Sequence, residues 1–440
     1  MSTNSKQKQG NIVAIIVMIF LFGTISFVTN LASPMGDILK EQFKVANWVG
    51  TLGVFANFIA YAVMGIPAGL MLDRLGYKKT ALYAIAIGFT GVGIQTLSGT
   101  IGSSSAIIVY LLGAFVAGFS MCLLNTVVNP MLNSLGGGGN KGNQLIQIGG
   151  SFNSLCGTAV IILTGILIPE GIKNAQIGDV FPLMFSMLAI FALAFVVISL
   201  TTVPEKTKKA DVSKTGEKAQ FGPLSFHHFI LGAVAIFVYV GIEVGIPNVL
   251  NKWLQNDADI MGMFQGKAEA IAASVAATYW FLMLIGRLGG AFVAKKVSAK
   301  MMLSGVSTVA LVLVFLAIFL PTIPIDLPVF KNQPGELFGL TKVPLNAALL
   351  VLCGLCTSVM WGGIFNLAVE GLGKYTEKAS GYFMVMVCGG GILPLLQNWI
   401  VDITGGKYLI SYWVIIAGFA YMLYYAFVGS KNINRNIPVD

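Results

Sequence analysis

Twelve apolar runs, each of about 20 residues or more, dominate the sequence and restrict the folds open to this chain. An α-helix crosses the roughly 30 Å core of a bilayer in about 20 residues, whereas the strands of a membrane β-barrel are about ten residues long and alternate in polarity. With 56% hydrophobic and 10% charged residues, the chain has too little polar surface to cover a soluble globule. We therefore predict an all-α integral membrane protein. The runs, numbered spans 1 to 12, fall near residues 11–33, 46–72, 80–99, 104–131, 144–168, 180–202, 224–250, 269–294, 301–320, 344–370, 379–400 and 408–429.

The loop between spans 2 and 3, Gly69 to Lys79, sets the direction in which the spans cross the membrane. It is short and mostly basic, and such loops stay on the cytoplasmic side. With both termini cytoplasmic, 19 of the 27 Lys and Arg residues fall on that side. We predict a multi-pass protein of the cytoplasmic (inner) membrane with both termini in the cytoplasm. Because these loops account for the positive charge, we expect the lipid bilayer, and not a nucleic acid, as the macromolecular partner.

A hydrophilic segment between spans 6 and 7 divides the chain into two sets of six spans. Residues 203–222 include five lysines and few apolar side chains, which is the composition of a flexible linker. The basic loop after span 2 has a counterpart after span 8, IGRLGGAFVAKKVSAK, and parallel repeats of this kind are typical of secondary carriers. We predict an N-terminal half at 1–202, a cytoplasmic linker at 203–222 and a C-terminal half at 223–440, together forming a monomeric carrier.

The loop after span 2 contains a compact pattern, GLMLDRLGYK, whose residues have separate physical uses. Gly69 permits close helix packing and Gly76 turns the chain, while Asp73 can pair with Arg74 or with a basic group of the other half. We hypothesise a conformational latch that holds one state of the carrier; the alternative is a solvated charge run. The latch residues are Gly69, Asp73, Arg74, Gly76 and Lys78, together with Arg287, which we assign to the loop region after span 8.

Polar side chains inside membrane helices are expensive and often functional, and spans 1, 4 and 5 contain several. Asn125 and Asn129 are four residues apart and therefore share one face of span 4. Amide groups can hydrogen-bond the hydroxyls of a sugar, although each could instead join two helices. We predict that these side chains converge on a substrate pocket. They are Asn30, Ser33, Asn125, Asn129, Gln147 and Asn153.

Glu243 is the carboxylate that lies deepest within an apolar run, in the sequence YVGIEVGIPNVLNKW of span 7. It could carry a coupling proton, bind sodium or accept hydrogen bonds from sugar hydroxyls, and a structural role near Pro247 is the alternative. Trp361 of span 10 could stack on the apolar face of a sugar or belong to the core. The predicted pocket residues of the C-terminal half are Glu243, Asn248, Trp361 and Asn366, with Glu243 as the coupling group.

Two groups of titratable residues lie at the predicted cytoplasmic ends of spans. Glu370 and Glu377 flank Lys374 near the end of span 10, and we predict that they form a solvated cluster. His227 and His228 begin span 7 without a neighbouring carboxylate or cysteine. We therefore expect them at the membrane interface and not in a metal site.

The five cysteines all fall within apolar runs, where cysteine acts as a small hydrophobic residue. Cys353 and Cys356 have CxxC spacing but no second ligand pair nearby, so we predict neither a metal site nor a disulfide. The sequence offers no nucleophile and base set and no phosphate-binding loop. We expect no enzymatic activity and no cofactor, apart from a coupling ion, Na+ or H+.

The sequence resembles the fucose permease group of the major facilitator superfamily, the symporters of fucose, galactose and glucose with protons. The GxxxDRxGxK signature of the superfamily is matched within Gly69 to Lys79. The resemblance implies a major facilitator fold of two six-helix halves and proton-linked sugar transport. It covers most of the chain and is carried by residues 65–79, 124–130, 151–153, 239–243, 285–287, 364–373 and 389–392.

The sequence departs from this group at the positions that the group links to protons. The group's acids on spans 1 and 4 correspond to Ser33 and Asn125 here, and a glutamine of span 5 corresponds to Gly150. Asn30 keeps the amide of span 1. Because related sugar carriers often have a carboxylate where Glu243 stands, the resemblance implies that Glu243 is the remaining coupling or sugar-binding group.

We predict a secondary active transporter of a hexose or related neutral sugar that works by alternating access, with the substrate near the midplane. A neutral substrate is expected because the predicted lining is rich in amides and lacks a buried Arg or Lys, which an anion would require. Sodium symport, proton symport and uncoupled facilitation are three open mechanisms. A multidrug efflux carrier and a transporter-like sensor are the alternatives from other classes.

Overall fold

The computed structural model describes residues 2–45, 47–168, 175–204, 221–257, 260, 262–264, 268–333, 336–434 and 436–439. Its α-helices are α1 (Ser2–Phe43), α2 (Asn47–Ser98), α3 (Ser105–Leu135), α4 (Gly139–Leu167), α5 (Phe181–Leu200), α6 (His227–Asn256), α7 (Ala268–Val293), α8 (Ala299–Phe319), α9 (Leu345–Thr357), α10 (Met360–Val369), α11 (Thr376–Val385), α12 (Gly389–Ile403) and α13 (Trp413–Tyr424). Strands β1 (Pro324–Gln333) and β2 (Glu336–Pro344) lie between α8 and α9. Short 3-10 helices occur at Ile177–Val180, Pro223–Ser225, Gly262–Phe264, Gly373–Tyr375, Met386–Cys388 and Tyr408–Tyr412, and a π-helix at Tyr425–Gly429.

Ten helical stretches of the described chain are long and apolar enough to cross a bilayer. One of them, Leu52–Ser98, has 47 residues, about 70 Å at 1.5 Å per residue, which is enough for two crossings. It bends at Gly76, whose φ of 80° is left-handed backbone that glycine adopts without strain. Together with α4, which corresponds to span 5, these stretches account for all twelve predicted spans. The prediction of an all-α membrane protein with twelve transmembrane helices is confirmed.

Spans 10 and 11 are each interrupted along their length. Span 10 consists of α9 and α10, which are separated at Ser358 and Val359. Span 11 consists of α11 and α12, with a 3-10 turn at Met386–Cys388 between them. An interruption inside a membrane helix leaves backbone groups that other parts of the protein must satisfy. The interruption of span 10 therefore marks a place where polar partners are needed.

The antiparallel hairpin of β1 and β2 is the part of the fold that the sequence analysis did not predict. Its register pairs Phe330 with Phe338. The backbone amide of Phe330 donates to Thr278 Oγ1 at 2.8 Å, and the rings of Phe330 and Phe338 lie 6.0 and 4.9 Å from that of Phe281, centroid to centroid. The hairpin thus packs against α7, and β1 also contacts α4.

Helices α1 to α5 pack mainly against one another, and so do α6 to α13 with the exception of α11, which packs mainly against α2 and α3. The two groups meet where α2 packs against α11 and where α4 packs against α7. Large apolar side chains such as Ile108, Leu200 and Phe292 are exposed on the outside of the bundle, as expected of surfaces that face lipid. Residues 205–220 of the predicted linker lie outside the described residues, so the boundaries of the two halves stay a prediction.

Glycines bring α2 and α11 into close contact. A Cβ atom on Gly381 would lie 2.6 Å from the Gly65 carbonyl oxygen and 2.6 Å from the Gly69 Cα. No real side chain fits at such distances, so these positions require glycine unless the helices move apart. The prediction that Gly69 permits close helix packing is confirmed, and its partner is span 11.

Candidate functional site

Glu243 and Arg287 form a buried ion pair between spans 7 and 8. Arg287 Nη2 donates to Glu243 Oε1 at 3.0 Å, and each side chain is 12% exposed. Burial makes either charge costly without the other, so the two neutralise each other inside the bundle. The prediction that Arg287 lies at a loop is wrong, because it lies within α7, which continues to Val293. The expectation that the lining lacks a buried cation is wrong for the same reason.

The Arg287 side chain also reaches the helices of the N-terminal half. Its Nη1 donates to Ser154 Oγ at 2.6 Å and to the Gly150 carbonyl at 3.3 Å, both on α4. A Cβ at Gly150 would lie 3.6 Å from Arg287 Cδ, which is ordinary contact, so the approach of Arg287 does not require glycine at this position. One guanidinium therefore ties α4 to the carboxylate on α6.

The interruption of span 10 supplies further acceptors at the same place. Arg287 Nε donates to the Ser358 carbonyl at 3.3 Å, and Gln147 Nε2 donates to the Val359 carbonyl at 2.7 Å. Gly286 of α7 permits this packing, because a Cβ there would overlap Ser358 Oγ. The backbone groups at the break of span 10 are thus satisfied by side chains of α4 and α7.

Trp361 joins the two halves by a further polar contact close to this break. Its Nε1 donates to Asn129 Oδ1 at 3.0 Å, and Asn129 is fully buried. The Trp361 ring also contacts the ring of Tyr239 on α6, with 6.3 Å between centroids. We call the resulting layer the polar seam. It comprises Asn129, Gln147, Ser154, Glu243, Arg287 and Trp361.

Other predicted amides of the N-terminal half make contacts within that half. Asn125 Nδ2 donates to the Tyr61 hydroxyl at 2.7 Å, and Asn153 Nδ2 donates to the Phe22 carbonyl at 2.7 Å. Asn30 donates within its own helix. These bonds correspond to the structural alternative that the sequence left open for such amides.

The remaining predicted pocket residues are not placed in the polar seam. Asn248 is exposed and accepts from Asn398 Nδ2 at 3.2 Å. Asn366 Nδ2 donates to Asn133 Oδ1 at 2.8 Å, close to the loop that joins α3 to α4. Ser33 belongs to α1, but its side chain lies outside the described residues. The predicted pocket is therefore only partly assembled in this structure.

The signature loop lies at the end of the bundle that we call the basic face, formed by residues 73–79, 133–142, 294–300 and 370–380. Lys378 Nζ lies 3.5 Å from Asp73 Oδ2. Asp73 therefore pairs with a basic group of the other half, which is one of the two pairings that the sequence predicted for it. Lys78 Nζ donates to the carbonyls of Ser199 and Thr201 at 2.8 and 2.9 Å. Lys78 therefore caps the end of α5, where helix carbonyls lack partners.

The prediction of a solvated cluster is wrong for Glu377, which is 8% exposed and accepts from the Tyr77 hydroxyl at 3.1 Å. His227 and His228 begin α6 at this end of the bundle, where His227 is exposed and His228 is buried. The Nε2 atom of His228 lies 2.9 Å from the Glu370 carbonyl. Arg74 is exposed, as the sequence suggested for a loop residue.

Sequence reasoning missed Ser154, Tyr61 and Lys378 as partners of the predicted residues. Ser154 and Tyr61 are polar residues inside predicted spans, so the criterion that selected their neighbours applies to them as well. Lys378 had no such signal, since its partner Asp73 lies in the other half of the chain. In the described part of the chain, no group of three or more His, Cys, Asp or Glu is placed to hold a metal ion.

Comparison with known proteins supplies the context for this geometry. A sequence model of the Major Facilitator Superfamily matches residues 13–395. A glucose/galactose transporter of Brucella abortus biovar 1 (strain 9-941) is 26% identical over 434 residues, which cover 98% of this chain and 97% of the relative. An L-fucose-proton symporter of Escherichia coli (strain K12) is 23% identical over 420 residues, covering 89% and 88%. A crystal structure of the superfamily transporter FucP in the outward conformation has a similar fold, with a TM-score of 0.78 at 19% identity over 96% of this chain and 100% of that one.

Proposed function

Since this chain belongs to the major facilitator superfamily and is a multi-pass membrane transporter, we propose that it moves a neutral hexose across the cytoplasmic (inner) membrane by alternating access. In this proposal the protein acts as a monomer, and the sugar binds at the polar seam. Both termini and the basic face lie in the cytoplasm. The names of two relatives, a glucose/galactose transporter and an L-fucose-proton symporter, support a hexose as the substrate class.

The observation that carries the proposal is the hydrogen bond between Trp361 and Asn129, 3.0 Å long, beside a neutralised ion pair. An indole offers an apolar face for a sugar ring, and an amide both donates to and accepts from hydroxyls. When the halves separate at this level, Trp361 Nε1 and Asn129 Oδ1 lose each other as partners and become available to a ligand, while Asn129 Nδ2 keeps its bond to the Asn125 carbonyl at 2.9 Å. Because Glu243 cancels the charge of Arg287, the seam offers no unpaired cation for an anionic substrate.

The coupling ion in this proposal is a proton, carried by Glu243. The carboxylate already accepts from a guanidinium at 3.0 Å, which leaves a proton as the ion that requires the least rearrangement of the site. Sodium would need several oxygen ligands at a distance from that positive charge. The E. coli relative is named as a proton symporter, which favours the same ion. Sodium coupling and uncoupled facilitation are the other outcomes of the test.

The test is uptake of labelled fucose, glucose, galactose, mannose and N-acetylglucosamine into proteoliposomes under separate proton and sodium gradients. We expect one or more free sugars to accumulate with the proton gradient. One charge moved down 100 mV supplies about 2.3 kcal/mol, or about 50-fold accumulation. In a Glu243→Gln variant we expect labelled sugar to exchange with unlabelled sugar, because binding and rocking persist, while accumulation is lost.

A matched control is Glu370→Gln, which makes the same change on an exposed side chain and is expected to accumulate sugar normally. Uptake of a sugar phosphate without uptake of any free sugar overturns the neutral substrate. A Glu243→Gln protein that still concentrates sugar removes Glu243 from coupling. Accumulation with the sodium gradient alone replaces the proton by sodium.

A further inference from the structure

The guanidinium of Arg287 is held from both sides of the polar seam. On the C-terminal side its partners are the Glu243 carboxylate at 3.0 Å and the Ser358 carbonyl at 3.3 Å. On the N-terminal side they are Ser154 Oγ at 2.6 Å and the Gly150 carbonyl at 3.3 Å. The shortest of the four contacts is therefore the one to Ser154 on α4.

Protonation of Glu243 changes how much each of these contacts contributes to stabilising the charge of Arg287. The neutral carboxyl no longer balances the charge of Arg287, which is left as a buried cation among neutral oxygens. Hydrogen bonds to a charged group are the strong ones, so Ser154 and Gly150 then matter more than before. Both belong to α4, and they are available to Arg287 only while α4 lies against α7.

We propose that Ser154 is a positioning residue for coupling, whose hydroxyl holds Arg287 across the seam when Glu243 is protonated. Proton occupancy then sets how firmly α4 and α7 are joined, and hence which state of the carrier is favoured. The inference rests on the proposed function in one respect, namely that Glu243 carries the proton. It adds a residue of the other half through which that proton acts.

In the described structure, few titratable side chains lie around Glu243. Facing it are Arg287 and Tyr279 of α7 and Tyr239 of its own helix. Arginine and tyrosine keep their charge state near neutral pH. The groups that α4 and the break of span 10 present to Arg287 are a hydroxyl and backbone carbonyls, which do not titrate. A change in uptake with pH that depends on this site therefore reports on Glu243.

The decisive variant is Ser154→Ala, measured as the pH dependence of sugar uptake. Without the hydroxyl, Arg287 depends more on a charged Glu243, so Glu243 takes up its proton only at a higher proton concentration. Because one hydrogen bond to a charged group is lost, we expect the midpoint to move to lower pH by about one unit, a tenfold change in proton concentration. Ser154→Thr, which keeps the hydroxyl, is expected to have the midpoint of the wild type.

The matched control is Ser151→Ala, which also removes one hydroxyl from α4. That hydroxyl donates to the Gln147 carbonyl of its own helix at 2.8 Å, so its loss is expected to leave the midpoint unchanged. If Ser154→Ala does not fold, Ser154→Cys keeps the size with a weak acceptor and is expected to shift the midpoint in the same direction.

The outcomes separate this inference from the proposed function. An unchanged midpoint in Ser154→Ala, or an equal shift in Ser151→Ala, overturns the role of Ser154 while Glu243→Gln still abolishes accumulation. If Glu243→Gln concentrates sugar with the pH dependence of the wild type, Glu243 does not carry the coupling proton. That result overturns this part of the proposed function, and the role of Ser154 with it.

Discussion

The two halves of the molecule are joined at two levels, the basic face and the polar seam, and the ionic contacts at the two levels differ in their exposure to solvent. At the basic face, Asp73 and Lys378 lie 3.5 Å apart with side chains 34% and 42% exposed. In the polar seam, Glu243 and Arg287 lie 3.0 Å apart with both side chains 12% exposed. An ion pair thus lies near water at the basic face and away from water in the polar seam.

The difference in exposure decides what each pair can contribute. An exposed pair gains about 0.2–1 kcal/mol, and salt screens it. A buried pair adds little net stability, but removal of one partner costs about 3–5 kcal/mol because the other charge is left alone. We infer that close packing and weak ionic contacts hold the basic face together, whereas charge balance governs the polar seam.

The largest effect is expected from Arg287→Ala, which leaves the Glu243 carboxylate buried without its cation. The variant is expected to be destabilised by about 3–5 kcal/mol at pH 8. An unpaired buried carboxylate prefers to be protonated, while the unfolded chain releases that proton above about pH 4.3. The loss of stability is therefore expected to shrink as the pH falls from 8 to 5. Thermal unfolding in detergent at the two pH values measures it.

The double variant Arg287→Ala with Glu243→Gln is the control for charge, since it leaves no unpaired ion in the seam. We expect it to recover most of the stability lost in Arg287→Ala. A double variant as unstable as the single one would show that packing around Arg287, and not charge balance, governs this level. The comparison between the two levels would then lose its basis.

The next effect in size is expected from Gly381→Ala at the basic face. The added methyl group would lie 2.6 Å from the Gly65 carbonyl oxygen and 2.6 Å from the Gly69 Cα, so α2 and α11 must separate. Overpacking of this kind costs about 1–3 kcal/mol, which lowers the population of the conformation with a closed basic face by about 5- to 150-fold. Distances between spin labels placed on the two halves at the basic face measure this population.

Gly391→Ala is the matched control on the same span. A Cβ there would lie 3.7 Å from Phe58 Cβ, which is ordinary contact, so we expect the wild-type population. Equal effects of the two substitutions would mean that span 11 simply tolerates alanine poorly, and that its contact with span 2 is not what closes the basic face.

The sequence predicted best those features of the structure that depend on residues close together in the chain. The lengths of the apolar runs predicted every span, and the backbone freedom of Gly76 correctly placed the turn between spans 2 and 3. The hairpin of β1 and β2 was missed although Ile325, Leu327 and Val329 alternate with other residues. Pro324 and Pro328 argue against a strand, and they concealed the alternation.

The polar seam was only partly predictable, because most of its contacts join distant parts of the chain. Asn129 and Trp361 were each selected as polar or aromatic residues within spans, but nothing in the sequence paired them. Arg287 was assigned to a loop by analogy with the loop after span 2, although the predicted span 8 includes it. A buried arginine requires a partner, and Glu243, the carboxylate deepest within a predicted span, was available. That one pairing was within reach of the sequence.

The smallest effect is expected from Asp73→Asn, which removes the exposed pair with Lys378 and keeps the size of the side chain. We expect the population with a closed basic face to fall by less than about fivefold, equivalent to 0.2–1 kcal/mol. The Debye length falls from about 10 Å at 0.1 M salt to about 3 Å at 1 M, so salt weakens the attraction between exposed charges. The difference from wild type is therefore expected to vanish in molar salt, while the effect of Gly381→Ala persists. The same spin-label distances, measured at low and high salt, test this. A loss that exceeds that of Gly381→Ala, or one that salt leaves unchanged, would make the Asp73 contact the dominant closure of the basic face and reverse the order of the two levels.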